Sequence, residues 1–164
     1  MGRRVAIGWL GLALALVAGL PAAAGAADWG GISPGTSTLE NVRERYGAPS
    51  RETRQKLEGY DTVQWVYEGA RAPAGMKRMI VDFGLLAPGG YRANLVRSFT
   101  LEPKPRVFDY VMVVRGWGVP DGVAEREGRK VYFYQRGLLV YFDQSGDDTA
   151  SMVFSPPQPE PAAK

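Results

Sequence analysis

Six carboxylates stand where acid–base work could be done: Glu58, Asp61, Glu68, Asp82, Glu102 and Asp143. A pair of them facing each other across a cleft would suit glycoside hydrolysis, with one acid protonating a leaving oxygen and the other attacking or activating water. Each, however, falls at a predicted strand end or on a predicted polar face, where a charged side chain is ordinarily solvated. A Ser–Lys pair is the other conceivable device, but Lys56, Lys77, Lys104 and Lys130 all sit in turn-like or strand-edge contexts. The run Asp143-Gln144-Ser145-Gly146-Asp147-Asp148 gathers acids as a calcium loop does, yet it lacks the closing glutamate of an EF-hand and reads as a turn. Gly89-Gly90 likewise reads as a turn rather than a phosphate loop.

The chain has no histidine and no cysteine. Ser-His-Asp and Cys-His nucleophile systems are therefore excluded, as are thiolate zinc sites, disulfides and a lipidated N-terminal cysteine. No catalytic residue, cofactor or metal site is expected. The formal charge of +3 owes two units to Arg3 and Arg4, and no acid precedes Asp28. The remainder is nearly neutral, which speaks against a nucleic-acid partner.

Those two arginines open a leader. Val5 to Leu20 carries no charge, Pro21 breaks the run, and Ala24-Gly25-Ala26 or Gly25-Ala26-Ala27 offers small residues for cleavage. Residues 1–27 thus read as a secretory signal peptide. An uncleaved anchor is the rival reading, since Val5 to Ala27 is long enough to cross a bilayer. Either way the rest is expected in the periplasm or outside the cell, with no stable membrane span after cleavage. At the other end, residues 156–164 are proline-rich and read as a solvated, disordered tail.

Between these ends the pattern recurs. Ser37-x-x-Glu40 is a candidate capping box, and Leu39, Val42 and Tyr46 recur at helical spacing. Gly47 and Pro49 close that helix. Trp117-Gly118-Val119-Pro120-Asp121 echoes Tyr46-Gly47-Ala48-Pro49-Ser50 type by type. Tyr110 to Val114 is β-branched enough for a strand, but the echo predicts a helix there too. Alternation then predicts strands about Asp61–Glu68, Met79–Phe83 and Leu95–Leu101, with Arg97 in phase with Leu95 and Phe99. Later strands are expected over 131–135, 137–143 and 150–154. The fold expected is α+β: two tandem repeats, each a helix plus a three-stranded antiparallel sheet, over 28–103 and 104–155, forming one compact unit.

The helix and exit, and the run Tyr132-x-Tyr134 followed by Gly137-Leu138-Leu139-Val140-Tyr141-Phe142-Asp143, resemble the small E-type factors of the outer-membrane β-barrel assembly machinery. A tandem of such units is similar to the secreted β-lactamase inhibitor proteins. The resemblance implies a protein-binding scaffold of the cell envelope, linked to outer-membrane assembly or maintenance.

The apolar pattern gives that scaffold a surface. Trp65, Tyr67, Tyr132 and Tyr134 are placed beneath the helices. Val131 and Phe133 then fall on the opposite face, where the first copy carries Gln64, Val66 and Glu68. This face is either covered by the other half or exposed for recognition. Gln64, Val66, Val131 and Phe133 are the candidate contacts with an unidentified envelope protein.

Overall fold

The structure, a computed structural model, describes residues 25–157. The leader up to residue 24 and the tail from residue 158 lie outside the described residues. Eight antiparallel strands form one sheet: β1 (Arg51–Leu57), β2 (Tyr60–Glu68), β3 (Met76–Ala87), β4 (Gly90–Pro103), β5 (Gly122–Arg126), β6 (Arg129–Tyr134), β7 (Leu138–Phe142) and β8 (Thr149–Phe154). Two eight-residue helices accompany them, α1 (Leu39–Tyr46) and α2 (Tyr110–Trp117). Strand order is β1-β2-β3-β4-β8-β7-β6-β5.

This corrects the expected fold class. There are not two helix-plus-three-strand units; each helix is followed by four strands, and all eight strands share one sheet. The strands missed are the two edges. β1, Arg-Glu-Thr-Arg-Gln-Lys-Leu, is exposed along its whole length and so has no apolar alternation. β5 is nearly as exposed. Charged edges of this kind discourage pairing with other chains.

Both helices lie on one face. Val42 of α1 and Val113 of α2 are fully buried in the main core cluster. One cross-strand row beneath them runs Trp65, Val81, Phe99, Phe154, Leu138, Tyr134; a second runs Tyr67, Met79, Leu101, Met152, Val140, Tyr132. Direct partners in antiparallel strands point to the same side, which makes each row a continuous apolar band.

Capping differs in detail from the expected box. Thr38, not Ser37, is the N-cap of α1, and its partner is Asn41: Thr38 Oγ1 accepts from the Asn41 amide, and Asn41 Oδ1 accepts from the Thr38 amide at 2.9 Å. A β-bridge between Thr38 and Leu95 fixes this corner to β4. Asp109 caps α2 by accepting from the Met112 amide at 2.8 Å. The helix expected at Tyr110 is present.

The helix exits are secured alike. Gly47 and Gly118 end the helices, and their carbonyls accept from Tyr67 Oη and Tyr134 Oη, each at 3.0 Å. Burial pushes both phenols up to about 12, from an ordinary value near 10. Each folded-state value is raised, so the stability these groups add is fully present below pH 10 and is lost as pH rises from 10 through 12. The urea midpoint is expected to stay level from pH 7 to 9 and fall steeply above pH 10. In Tyr67→Phe/Tyr134→Phe the alkaline fall becomes shallower, while stability at pH 7 drops by about 1 kcal/mol per hydrogen bond. An unchanged alkaline slope in the double variant would refute this account.

Candidate functional site

The face away from the helices carries its own apolar row. Successive cross-strand partners are Arg51, Val66, Ile80, Thr100, Val153, Leu139, Phe133 and Gly122, one from every strand. Tyr141 and Val131, partners of each other, flank the row on the second half. Val66 and Val131 are 2% and 4% exposed, whereas Ile80, Val153, Leu139, Phe133 and Tyr141 are half-buried. None of these residues belongs to the core cluster that the helices join. Among the described residues, no helix packs on this face.

Polar groups punctuate the row. Asp82 accepts from Gln64 Nε2 at 2.9 Å and from Ser98 Oγ at 3.5 Å, and Arg97 Nη2 lies 3.7 Å from it. On the other side of the row the Arg78 guanidinium donates to Glu102, and this contact raises the arginine's proton affinity.

Of the expected contacts, Gln64 and Val66 sit on β2, while Val131 and Phe133 sit on β6. All four share the uncovered face, but they belong to opposite wings. Five strand spacings separate β2 from β6, about 24 Å. What joins them is Ile80, Thr100, Val153 and Leu139, none of which is among the expected contacts. The signal was available: Ile80, Val153 and Leu139 each interrupt an inward-facing alternation with another apolar residue.

The six acids are dispersed. Asp82 and Glu102 hold the contacts just described. Asp61 pairs with Lys56 at 2.7 Å, Glu68 is exposed at the end of β2, and Glu58 sits in the β1–β2 turn. Asp143 accepts from Ser145 Oγ at 2.6 Å and from the Gly146 amide at 3.0 Å. The serine hydroxyl first, then the turn amides, hold its carboxyl below the usual range. Of the four lysines weighed above, Lys130 places its ammonium 4.7 Å from the Phe142 ring centre, 5.7 Å from that of Tyr110 and 5.6 Å from that of Tyr132.

One carboxylate outside the expected set is tied to the core. Glu52 Oε2 accepts from buried Trp65 Nε1 at 2.9 Å, and that bond, with a second from Arg54, lowers its carboxyl's proton affinity. Arg43 of α1 lies 5.0 Å over the same indole ring. These contacts fasten α1 and the β1 edge to β2.

The fold and this face define a protein built on one eight-stranded antiparallel sheet, with two short helices on one side and, among the described residues, no helix on the other. No family model matches the chain, and no curated protein matches it either. Two solved structures are similar. One is a DUF4309 family protein of Bacillus subtilis, at 9% identity and a TM-score of 0.44, covering 77% of this chain and 82% of that one. The other is an extracellular protein containing an SCP domain from Bacillus anthracis, at 13% identity and a TM-score of 0.41, covering 73% of this chain and 43% of that one. Among the described residues, no helix is long and apolar enough to cross a membrane.

Proposed function

We propose that this is an exported, non-catalytic binding module that docks another envelope protein against the uncovered face of its sheet. The apolar row from Val66 to Phe133, on a face where no helix packs among the described residues, carries the reading. The leader pattern supports export to the periplasm or beyond. The absence of histidine and cysteine removes the commonest nucleophile systems. The resemblance to envelope assembly factors agrees with a scaffold role.

Size also suits the role. Eight strands span about 34 Å, and strands of this length run about 20 Å. The face therefore offers roughly 700 Å², close to the ~800 Å² that each partner gives to an ordinary stable interface. Half-buried apolar residues at the middle with ion pairs toward the margin match the usual anatomy of such surfaces.

Phe133→Glu, on the β6 wing of the row, is expected to weaken capture of the envelope partner about 30-fold, the loss typical of a large aromatic contact replaced by a charge. Thr100→Arg, at the middle of the row, should do the same. Arg115→Glu, exposed on α2, should leave capture unchanged. Pull-down from an envelope extract, with thermal unfolding of each variant as the fold control, reads the result. Equal capture by all three variants would end the proposal.

A further inference from the structure

The tips of two hairpins, β1–β2 and β3–β4, enclose a hollow of about 190 Å³ at one end of the uncovered face. Its walls are mostly apolar. Leu57, Tyr60 and Leu86 are 45%, 40% and 62% exposed. The Tyr60 and Tyr91 rings stack at 4.4 Å between centres. Isolated exposed apolar residues are ordinary, but several gathered around one concavity mark a binding site. The corresponding tips of the second half surround a depression with Glu125, Lys130, Asp143 and Ser145 on its walls.

The hollow is built by departures from a regular ladder. Asp82 pairs with Ser98 and Phe83 with Val96, which leaves Arg97 as the extra residue of a bulge. A second irregularity lies between Phe83 and Leu85. Gly84, at φ +99, is the residue between them, and a Cβ there would fall 2.1 Å from Tyr91 Oη. That space lets the Tyr91 hydroxyl donate to the Asp61 carbonyl and holds its ring against Tyr60. The Arg97 bulge also sends a guanidinium to the lining. Its side chain is 26% exposed, and its one ion pair among the described residues is the 3.7 Å approach to Asp82. Asp82 is itself engaged by Gln64 and Ser98. A part-buried guanidinium with five donors and so little to bond is suited to a carboxylate.

Volume narrows the occupant. A cavity of about 150 Å³ accepts one benzene ring, whereas drug-sized ligands need at least about 300 Å³. The hollow has room for one aromatic or branched side chain and a carboxylate beside it. We propose that it is an anchor for the C-terminal residue of a partner polypeptide, with the apolar side chain against Tyr60 and Tyr91 and the terminal carboxylate on Arg97. The inference rests on the partner-binding reading and names what the partner presents. Glu58 on the rim opposes the bound anion.

N-acetyl-phenylalanine, its neutral amide and octanoate are the probes, each titrated into the ¹⁵N-labelled protein. The acid is expected to shift the amides of Tyr60, Leu86, Tyr91 and Arg97. The amide should bind about fivefold more weakly, the ratio expected of one partly screened ion pair. Arg97→Gln should abolish that ratio, and Glu58→Gln should tighten the acid about twofold. Leu86→Ser, at an exposed site that tolerates polarity, should weaken both probes. No shifts at these residues, equal affinity for acid and amide, or octanoate binding more tightly than the acid would each overturn the assignment. The two ideas fail separately. Acid binding with capture unaffected by Phe133→Glu sinks the face, and lost capture without acid binding sinks the hollow.

Discussion

Gly137→Ala is expected to destabilise the protein by about 3 kcal/mol or more, among the larger losses a single methyl group can cause. Gly137 turns the chain between β6 and β7 at φ +90. Alanine in the left-handed region costs about 1–2 kcal/mol on its own. Here the added carbon would also lie 2.1 Å from the Ser155 carbonyl oxygen and 2.7 Å from that of Pro156. Both obstacles are backbone and cannot rotate away. The same segment is bonded to the turn, since the Ser155 amide donates to the Gly137 carbonyl at 2.8 Å. Relief therefore means pulling the end of β8 off β7. Gly128→Ala is the matched control. Gly128 also has a positive φ, +71, but a Cβ there meets nothing within 4 Å. Its loss should stop near the conformational term alone, about 1–2 kcal/mol. Urea unfolding of the two variants side by side isolates the contact, and equal losses would show that no contact operates.

The turn at Gly137 illustrates what a sequence discloses and what it withholds. Its position between two apolar alternations marks it as a turn, yet nothing local says that residues 155 and 156 press on it. Much the same holds for the fold. The helix ends at Gly47 and Gly118 carry local signals, and the alternation of β2 and β3 is written in single residues. β1 and β5 were missed because an edge exposed on both faces needs no apolar phase. Leu95 was expected to point inward with Phe99, but the bulge at Arg97 shifts the phase, and Val96 fills the core instead. A bulge shifts phase without a residue type that announces it.

The uncovered face was legible in the same partial way. Parity alone put Val131 and Phe133 on the side opposite Tyr132 and Tyr134. Parity could not place them about 24 Å from Gln64 and Val66, because that distance follows from strand order. Strand order depends on which strands meet at the middle of the sheet, a contact between residues far apart in the chain. Three strands in each half, joined by either a shared core or a continuous sheet, leave that contact unspecified. The hollow at the hairpin tips was invisible for a related reason: Leu57, Tyr60, Leu86 and Tyr91 converge only after two hairpins are laid side by side.

The central contact sets the second large effect. The halves of the sheet meet through three partner pairs, Phe99 with Phe154, Thr100 with Val153 and Leu101 with Met152. Phe99 and Phe154 are fully buried, with rings 4.4 Å apart and 7° from parallel, and the Trp117 ring at the exit of α2 lies 5.9 Å from Phe154. Phe99→Ala should cost about 3–5 kcal/mol, the usual range for an aromatic side chain removed from a packed core. Domains of this size hold only about 5–15 kcal/mol in total, so the variant should be close to unfolding at room temperature. How it unfolds matters more than how much it loses. A sheet shared by both halves leaves each half without an intact core when the seam loosens. Amide signals from β2 and β7, followed in one urea titration, are therefore expected to vanish at the same midpoint in the parent and in Phe99→Ala. Separate midpoints in the parent would mean that the halves are stable modules merely touching at β4 and β8. The row from Val66 to Phe133 would then lose its standing as one docking surface, because its two wings could move apart without breaking either core.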